Sequence, residues 1–508
     1  MRRARFLYRV SILTAALALG LAVMPAGGAG VRTRTTTLAP GVTFTRINDP
    51  RGPWSIRVVS IELAQASTIE PVLAAGRLRG FERTSSMARR YGAVAAINGD
   101  YARPSGRPVM TFAQDGELAQ TELTFGVNFA VDVGETQAYI KHQTPQVWLQ
   151  EADTALEHPI AAVNAGLPAG EQLRAFTALG GGEEPPPNNS CGARIYATGG
   201  PRVSTTRTGV EQPHVVNEVI CKWRKLWPKQ GRTVAAPVGT ITASQLTTGL
   251  APGDDVTYGW SLGWPNVLET IGGLPTLVRD GELFVGKENT AFFNPHPRTG
   301  VGFTAPGPTQ RVLFVTVDGR QPGYSRGMTP LRFAKLFRSL GATYALNLDG
   351  GGSTTMVVNR GGVHRIVNRP SDGYERPVSS ALLLLPGPDP RPTTTPAPIP
   401  TVFPTPAPSE TPTTSATPTT SATPAPSDSW TPSPSETATP TPDASETPSP
   451  EPSGFARSTI TVIGSRDVWL RIANDPASTG GLATWLLHEG IYLDPGLQRA
   501  ASIFRLSD

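Results

Sequence analysis

The chain of 508 residues contains only two cysteines, Cys191 and Cys221. That excludes a cysteine-built metal module and a disulfide-dense scaffold. Its six histidines show no metal-ligand spacing, and His296 alone lies beside a motif. Charged residues are sparse at 17%, with no dense Lys/Arg run, so nucleic-acid binding is not expected. No P-loop ending, nucleophile elbow or dinucleotide fingerprint occurs. Long apolar stretches are also missing. Val10–Met24 (VSILTAALALGLAVM) is short for a membrane span, and no other segment qualifies. Proline is plentiful, 51 in all, with the excess gathered after Pro386.

These features divide the chain. Residues 1–29 read as an export signal: Arg2, Arg3, Arg5 and Arg9 precede the apolar run, and Ala26-Gly27-Gly28-Ala29 follows it. Cleavage near Ala26 or Ala29 is expected, with an uncleaved N-terminal anchor as the alternative. No Cys follows the run, which excludes a lipoprotein anchor. The expected location is secreted or cell-surface. In that setting Cys191 and Cys221 are expected to form one disulfide, stapling a polar insertion at about residues 180–235 (GGGEEPPPNNSCG). Two free, partly buried thiols are the alternative.

Residues 30–385 read as one folded region. Strand-like runs recur at Trp54–Leu63, Ala93–Ile97, Phe125–Val133, Arg311–Val317, Ala342–Leu348 and Ser379–Leu385. The best helix is Pro330–Leu340 (PLRFAKLFRSL), with Thr329 as N-cap and Gly341 as stop. The expected class is α+β, a mixed β-sheet with few helices. Residues 386–453 are a Pro/Thr/Ser linker that cannot bury a core and would reach about 200 Å as polyproline II. Residues 454–508 regain apolar alternation and read as a small β-rich module, a candidate for cell-wall contact. From Asp389 to Glu451 seven acids face one Arg, whereas the whole chain is +5, so the folded part is mildly basic. That balance suits an anionic substrate, but an ordinary solvated surface explains it equally.

Three turns after apolar strands concentrate polar groups: Asn98-Gly99-Asp100-Tyr101, Asp318-Gly319-Arg320, and Asn347-Leu348-Asp349-Gly350-Gly351-Gly352-Ser353-Thr354-Thr355. An Asp just past a buried strand is fixed by the sheet yet reachable, and glycines let backbone N–H groups approach a ligand. The first and third turns share a pattern of helix, Gly-Ala, buried strand and Asn. If their strands were neighbours, both turns would face one cleft. Taken singly, each residue has a plainer reading, since an Asp in a DG turn is usually a turn residue.

Taken together, these segments resemble the phosphodiester glycosidase family, enzymes that cut a sugar from the phosphate on its anomeric carbon. The resemblance rests on AINGDY at Ala96–Tyr101, PRTGVG at Pro297–Gly302, VDGR at Val317–Arg320 and NLDGGGSTT at Asn347–Thr355. It spans roughly residues 55–385. The chain has Asp100 and Ala102 where the family often has Gly and an aromatic.

The resemblance implies an exported hydrolase of sugar-1-phosphodiesters, N-acetylglucosamine-like, in envelope glycopolymers or exopolysaccharide. Such a reaction expels a phosphate monoester, a good leaving group. It therefore needs cations for the phosphate and a carboxylate for the anomeric carbon or its attacking water. Asp349, Asp318 and Asp100 are the catalytic candidates. Arg320 and Arg298 are the expected phosphate clamps, because a guanidinium offers paired donors. Asn98, Asn347, Gly350, Gly351, Gly352, Ser353 and Thr354 are the expected sugar or phosphate ligands. No cofactor is indicated. The carboxylates could hold a divalent cation, but no Asp-rich loop supports one. A non-catalytic phosphoglycan-binding envelope protein is the alternative.

Overall fold

The computed structural model describes residues 30–387, apart from 64–66, 123–125, 167–168, 181–187, 223–230, 286–290 and 308. The expected export signal, the linker beyond 387 and the C-terminal module lie outside the described residues. The described α-helices are α1 (Thr84–Arg90), α2 (Ile241–Gly249) and α3 (Pro330–Ser339). None is long and apolar enough to cross a membrane.

An apolar run without polar alternation needs cover on both faces. Arg311–Val317 receives it. Val312 and Phe314 enter a buried cluster with Val59, Ile61 and Leu382. Leu313, Val315 and Val317 enter another with Phe333 and Phe337 of α3. Ser380–Pro386 behaves likewise: Leu382 and Leu384 join the first cluster, while Leu383 and Leu385 pack with Met87 and Ala88 of α1. Four layers result, in the order α3, eight-stranded sheet, five-stranded sheet, α1.

The eight-stranded sheet runs from Arg32–Ala39 through Val42–Asp49, Trp54–Glu62, Arg311–Val317, Arg298–Thr304, Ala342–Asn347 and Thr276–Arg279 to Glu282–Leu283. The five-stranded sheet runs Val363–Ile366, Met356–Arg360, Ala95–Asn98, Ser380–Pro386, Ser67–Leu73. Every pairing in both is antiparallel. Pro71, which cannot donate to a ladder, is on the edge strand Ser67–Leu73.

Between these parts of the chain lies a closed barrel. Its ring order is Ser190–Ala197, Arg232–Pro237, Leu173–Thr177, Glu157–Val163, Gln146–Glu151, Asp255–Ser261, Val210–Cys221 and back to Ser190–Ala197. Closure removes the exposed edges that an open sheet would present. Glu157–Val163 and Leu173–Thr177 form the parallel pair that makes the fold mixed. Ala243 and Leu246 of α2 pack into the barrel core with Leu149, Ile195 and Val234. The segment expected as an insertion thus contributes three barrel strands. Cys191 and Cys221 are directly opposite on two of them and are disulfide-bonded.

The helix α3 forms as its sequence suggests. The Thr329 hydroxyl accepts from Arg332 N at 3.2 Å, Pro330 occupies the first turn, and Gly341 follows at φ +88°. Its apolar face meets the sheet over Gly300 and Gly302. A Cβ on Gly302 would lie 2.7 Å from Tyr344 O and 2.9 Å from the Phe337 ring, so the Gly-x-Gly spacing is what admits the helix. We predict that Gly302→Ala costs about 1–3 kcal/mol by overpacking. Thermal melting of purified protein checks this, with a fall in Tm of several degrees expected. Removing the disulfide with Cys191→Ser is predicted to cost about 3–4 kcal/mol on the loop-entropy account. Wild-type and variant denaturant midpoints should differ accordingly, and the gap should vanish under reducing conditions.

Candidate active site

The two Asn-ended strands are not neighbours in one sheet. Ala95–Asn98 belongs to the five-stranded sheet and Ala342–Asn347 to the eight-stranded one. Their turns nevertheless meet across the sandwich. Asn98 Nδ2 donates to Asp349 O at 2.7 Å, and Asp349 N donates to Gly99 O at 3.1 Å. Asn98 Oδ1 accepts from Thr299 Oγ1 at 2.7 Å and from Thr355 N at 3.0 Å. Asn98 is fully buried and spends its amide on three groups, at Asp349, Thr299 and Thr355. Asn347 is buried too, and its Nδ2 donates to Tyr101 Oη, Leu274 O and Leu348 O. Both asparagines, expected as sugar ligands, therefore fix backbone, and Asn347 Oδ1 is a buried acceptor with no hydrogen-bond partner among the described residues.

Asp349 is the half-buried carboxylate of this junction. Gly350 N donates to its Oδ1 at 2.8 Å. Burial pushes its pKa up to about 6, while the Ser353 hydroxyl, Gly350 N–H and the Arg376 charge pull it back down. Asp100 is buried beside it. Its Oδ1 accepts from Tyr101 N at 2.7 Å and its Oδ2 from Met110 N at 2.6 Å. Burial holds its pKa well above the usual carboxylate range, opposed by those N–H donors and reinforced by the Asp349 charge. Burial likewise raises the Tyr101 phenol, whose hydroxyl donates to Leu274 O at 2.9 Å.

Asp318 has a different environment. Its Oδ2 accepts from Ser55 Oγ and Tyr324 Oη, both at 2.9 Å. Its Oδ1 accepts from Asn368 Nδ2 at 3.1 Å and Arg369 N at 2.9 Å. Four donors saturate a buried carboxylate. Asp318 ties Ser55, the Tyr324 loop and the Asn368–Arg369 loop together, and Arg320 is not among its partners.

The arginines also differ. Arg298 is buried, with Nε donating to Met328 O at 3.0 Å and Nη2 to Phe292 O and Asn294 O. Burial lowers its pKa to about 10. Arg320 is exposed at φ +58°, and its guanidinium lies over Gly351, where a Cβ would come 3.2 Å from its nitrogens. Arg320 Nε donates to His296 Nδ1 at 3.3 Å, and His296 Nε2 donates to Ala291 O at 2.8 Å. Burial lowers the His296 pKa, helped by the Arg320 and Arg298 charges, so its ring is neutral and free to accept from Arg320.

Arg376 escaped the sequence reading. Its guanidinium covers Gly352 so closely that any side chain there would collide with it. It is paired with Asp372 at 2.6 Å. The neighbouring Glu375 is buried and accepts from Ser85 N at 2.7 Å and Ser85 Oγ at 2.5 Å, which anchors the loop to α1. The only local hint was the turn pair Asp372-Gly373. Ser353 and Thr354 are buried in the turn. The glycine turn thus lies between two exposed guanidiniums, with Asp349 at its start.

One three-carboxylate group close enough to share a cation occurs among the described residues: Glu70, Asp115 and Glu269. None of its members belongs to the Asp349 turn. A groove of about 880 Å³ between Asp49–Trp54 and α3 does not include Asp349 either. The chemistry is therefore located by charge and hydrogen bonding, not by volume.

Residues 194–385 match the family model for phosphodiester glycosidase. That range contains Asp318, Arg320, Asp349 and Arg376 but not Asn98 or Asp100. No curated protein matches the chain in sequence. A Synechocystis protein shares the fold at TM-score 0.51 and 19% identity, over 70% of this chain and 63% of that one. The chain therefore spans less than two thirds of that relative. A Burkholderia pseudomallei protein matches at TM-score 0.50 and 20% identity, over 75% of this chain and 100% of its own. The zebrafish N-acetylglucosamine-1-phosphodiester alpha-N-acetylglucosaminidase catalytic domain matches at TM-score 0.34 and 16% identity, over 70% of this chain and 88% of that one. The family match thus runs from within the barrel to the end of the sandwich, and over residues 194–385 the chain is similar to a phosphodiester glycosidase domain.

Proposed function

We propose that this protein is an extracytoplasmic hydrolase that cleaves the bond between a sugar anomeric carbon and a phosphodiester oxygen. The observation that carries the reading is Asp349, a half-buried carboxylate with a pKa of about 6, opening a glycine turn flanked by the Arg320 and Arg376 guanidiniums. The disulfide supports the extracytoplasmic setting. An N-acetylglucosamine-like sugar in an envelope glycopolymer is the proposed substrate.

In the proposed reaction water adds to the anomeric carbon and the C–O bond breaks. The bond's electron pair leaves with the phosphate monoester, and the water proton goes to a base. Asp349, when ionised, is the base or the nucleophile. Arg320 and Arg376 neutralise the departing phosphate, and the side-chain-free glycines let it approach the backbone. His296 keeps Arg320 turned over the loop. Burial raises the Asp100 pKa well above the usual carboxylate range, so a second negative charge beside Asp349 is disfavoured. Arg298 and Asp318 act as positioning residues: one holds the Phe292–Asn294 and Met328 carbonyls, the other the DGR turn. The tether and C-terminal module would keep the enzyme near the wall.

The defining assay follows free sugar and phosphomonoester from an α-N-acetylglucosamine-1-phosphodiester. Equal release of both is expected, falling about 10²–10⁴-fold in Asp349→Asn. Tight binding with no release would favour the phosphoglycan-binding alternative. Because Asp349 must be ionised, kcat/KM should fall as pH drops through about 6. Loss of activity as pH rises through 6 would assign Asp349 the acid role instead.

Arg320→Ala and Arg376→Ala should each lower kcat/KM about 10–100-fold, the scale of a hydrogen bond to a charged group. The corresponding drop for Asp372→Ala should be smaller, since Asp372 orients Arg376 but also competes with the phosphate for it.

A stability measurement separates catalysis from folding. The raised pKa means the native state resists losing the Asp349 proton. Ionisation therefore costs stability above about pH 6, and the cost fades as pH falls toward the usual carboxylate range. Asp349→Asn should melt higher than wild type at pH 8, with the difference gone by about pH 4. A variant that melts lower at pH 8 would mean that Asp349 supports the fold and is not a strained functional group.

A further inference from the structure

The groove between Asp49–Trp54 and α3 is built from cations. Its volume is about 880 Å³, and Arg51, Arg326, Arg332 and Lys335 line it, against the single acid Asp49. Arg51 is partly committed, since its Nε and Nη2 are held by both Asp49 oxygens at 2.7–3.1 Å. That interaction consumes the one acid. Arg326, Arg332 and Lys335 are all exposed, and among the described residues none has a carboxylate partner. Three unpaired cations along one concavity raise the local potential where an anion would lie.

One of them is pre-set. The Arg332 guanidinium lies 4.6 Å above the Trp54 ring, and Trp54 Nε1 donates to Gly327 O at 3.0 Å. The ring also packs against Gly52, where a Cβ would fall 2.0–2.5 Å from indole atoms. Gly52 thus lets Trp54 seat, and Trp54 orients Arg332. Trp54 is already stacked by Arg332 and tied through Nε1 to Gly327 O, so it is a poor platform for a nucleobase, which argues against single-stranded nucleic acid. The concave shape argues against a flat lipid surface. The floor, with Ile56, Met328 and Leu336, suits an aliphatic backbone between anionic groups.

The groove also shares a wall with the proposed site. Met328 lines it and accepts from Arg298 Nε through its carbonyl. Pro295, another lining residue, precedes the His296 that holds Arg320.

We propose that this groove binds a phosphate-bearing aliphatic chain, the extension of a polymeric sugar phosphodiester beyond the bond that is cut. The ligand's identity as substrate rests on the function proposed above; the groove's selectivity for such a chain does not.

The test is calorimetric titration of the full chain with a synthetic oligo(glycerol phosphate), in the Asp349→Asn background so that turnover cannot intervene. The comparison variant carries Arg332→Glu and Lys335→Glu together, both on the exposed face of α3. Wild-type groove binding should weaken at least tenfold in the double variant and fall with added salt. A neutral hexasaccharide should not bind. No binding by the Asp349→Asn chain, or equal binding by the double variant, would overturn the groove assignment. Tighter binding of an oligothymidylate of equal charge would overturn the ligand class. In the Asp349-intact protein, the double variant should raise KM for a polymeric phosphodiester while kcat/KM on a small one is unchanged. If small phosphodiesters are not cleaved at all yet titration succeeds, the proposed reaction fails and the groove stands.

Discussion

The junction of Asn98 with the Asp349 turn is the constraint on which the site depends. The two sheets of the sandwich are held by apolar packing, which fixes distance but not register between strand ends. A single buried amide supplies the register. Asn98 reads Asp349, Thr299 and Thr355 at once, bringing the ends of three strands to one point. An aspartate could not replace it, because Asn98 must donate to the Asp349 carbonyl while accepting from Thr299 and Thr355. Leaving either side of such a buried group unpaired costs about 1–3 kcal/mol. The motif at Ala96–Tyr101 therefore serves the site from beneath it.

The same logic separates the three aspartates. Each follows an apolar strand, and in the sequence they look alike. In the fold, Asp318 is saturated by four donors, Asp100 is buried with two backbone donors, and Asp349 is half-buried beside a glycine turn. Only Asp349 combines access, a pKa near neutrality and an adjacent cation, Arg320, with no carboxylate partner among the described residues. Raising a carboxylate pKa needs desolvation without full compensation. At Asp349 burial supplies the desolvation, while the Ser353 hydroxyl, the Gly350 N–H and the Arg376 charge offset only part of it.

How much was legible follows from how local each signal is. The runs at Arg311–Val317 and Ser380–Pro386, and the caps of α3, are readable because burial on two faces and capping are written within a few residues. The barrel was not readable as a barrel. Its strands are interrupted by Pro159 and Pro213 and mix polar with apolar residues, so their closure depends on pairings far apart in the chain. The cysteine pair was the one long-range signal there, because oxidising chemistry makes it explicit. The glycines at 300 and 302 were visible as a motif, but their role as the seat of α3 appears only with Phe337 in place. Arg376 was invisible for a similar reason, since its contact with Gly352 crosses a loop that no periodicity predicts. Arg298 was legible as a motif residue and not as a buried one, for nothing in PRTGVG reveals that Phe292, Asn294 and Met328 will supply carbonyls.

Burial of Arg298 clarifies why the exposed guanidiniums belong to other segments. A guanidinium committed to three carbonyls cannot follow a phosphate through bond breaking, whereas one held only by a neutral histidine can. His296 supplies direction without charge. A carboxylate in its place would neutralise Arg320 and compete with the phosphate, as Asp372 partly does for Arg376. The two flanking arginines are therefore not equivalent. Arg320 is the stronger anion partner by this reasoning, because no carboxylate among the described residues pairs with it. Its left-handed backbone conformation is a cost a non-glycine residue accepts when the side chain must reach back over the turn. Position, neutral support and backbone geometry at Arg320 thus point the same way, toward a cation kept free beside Asp349.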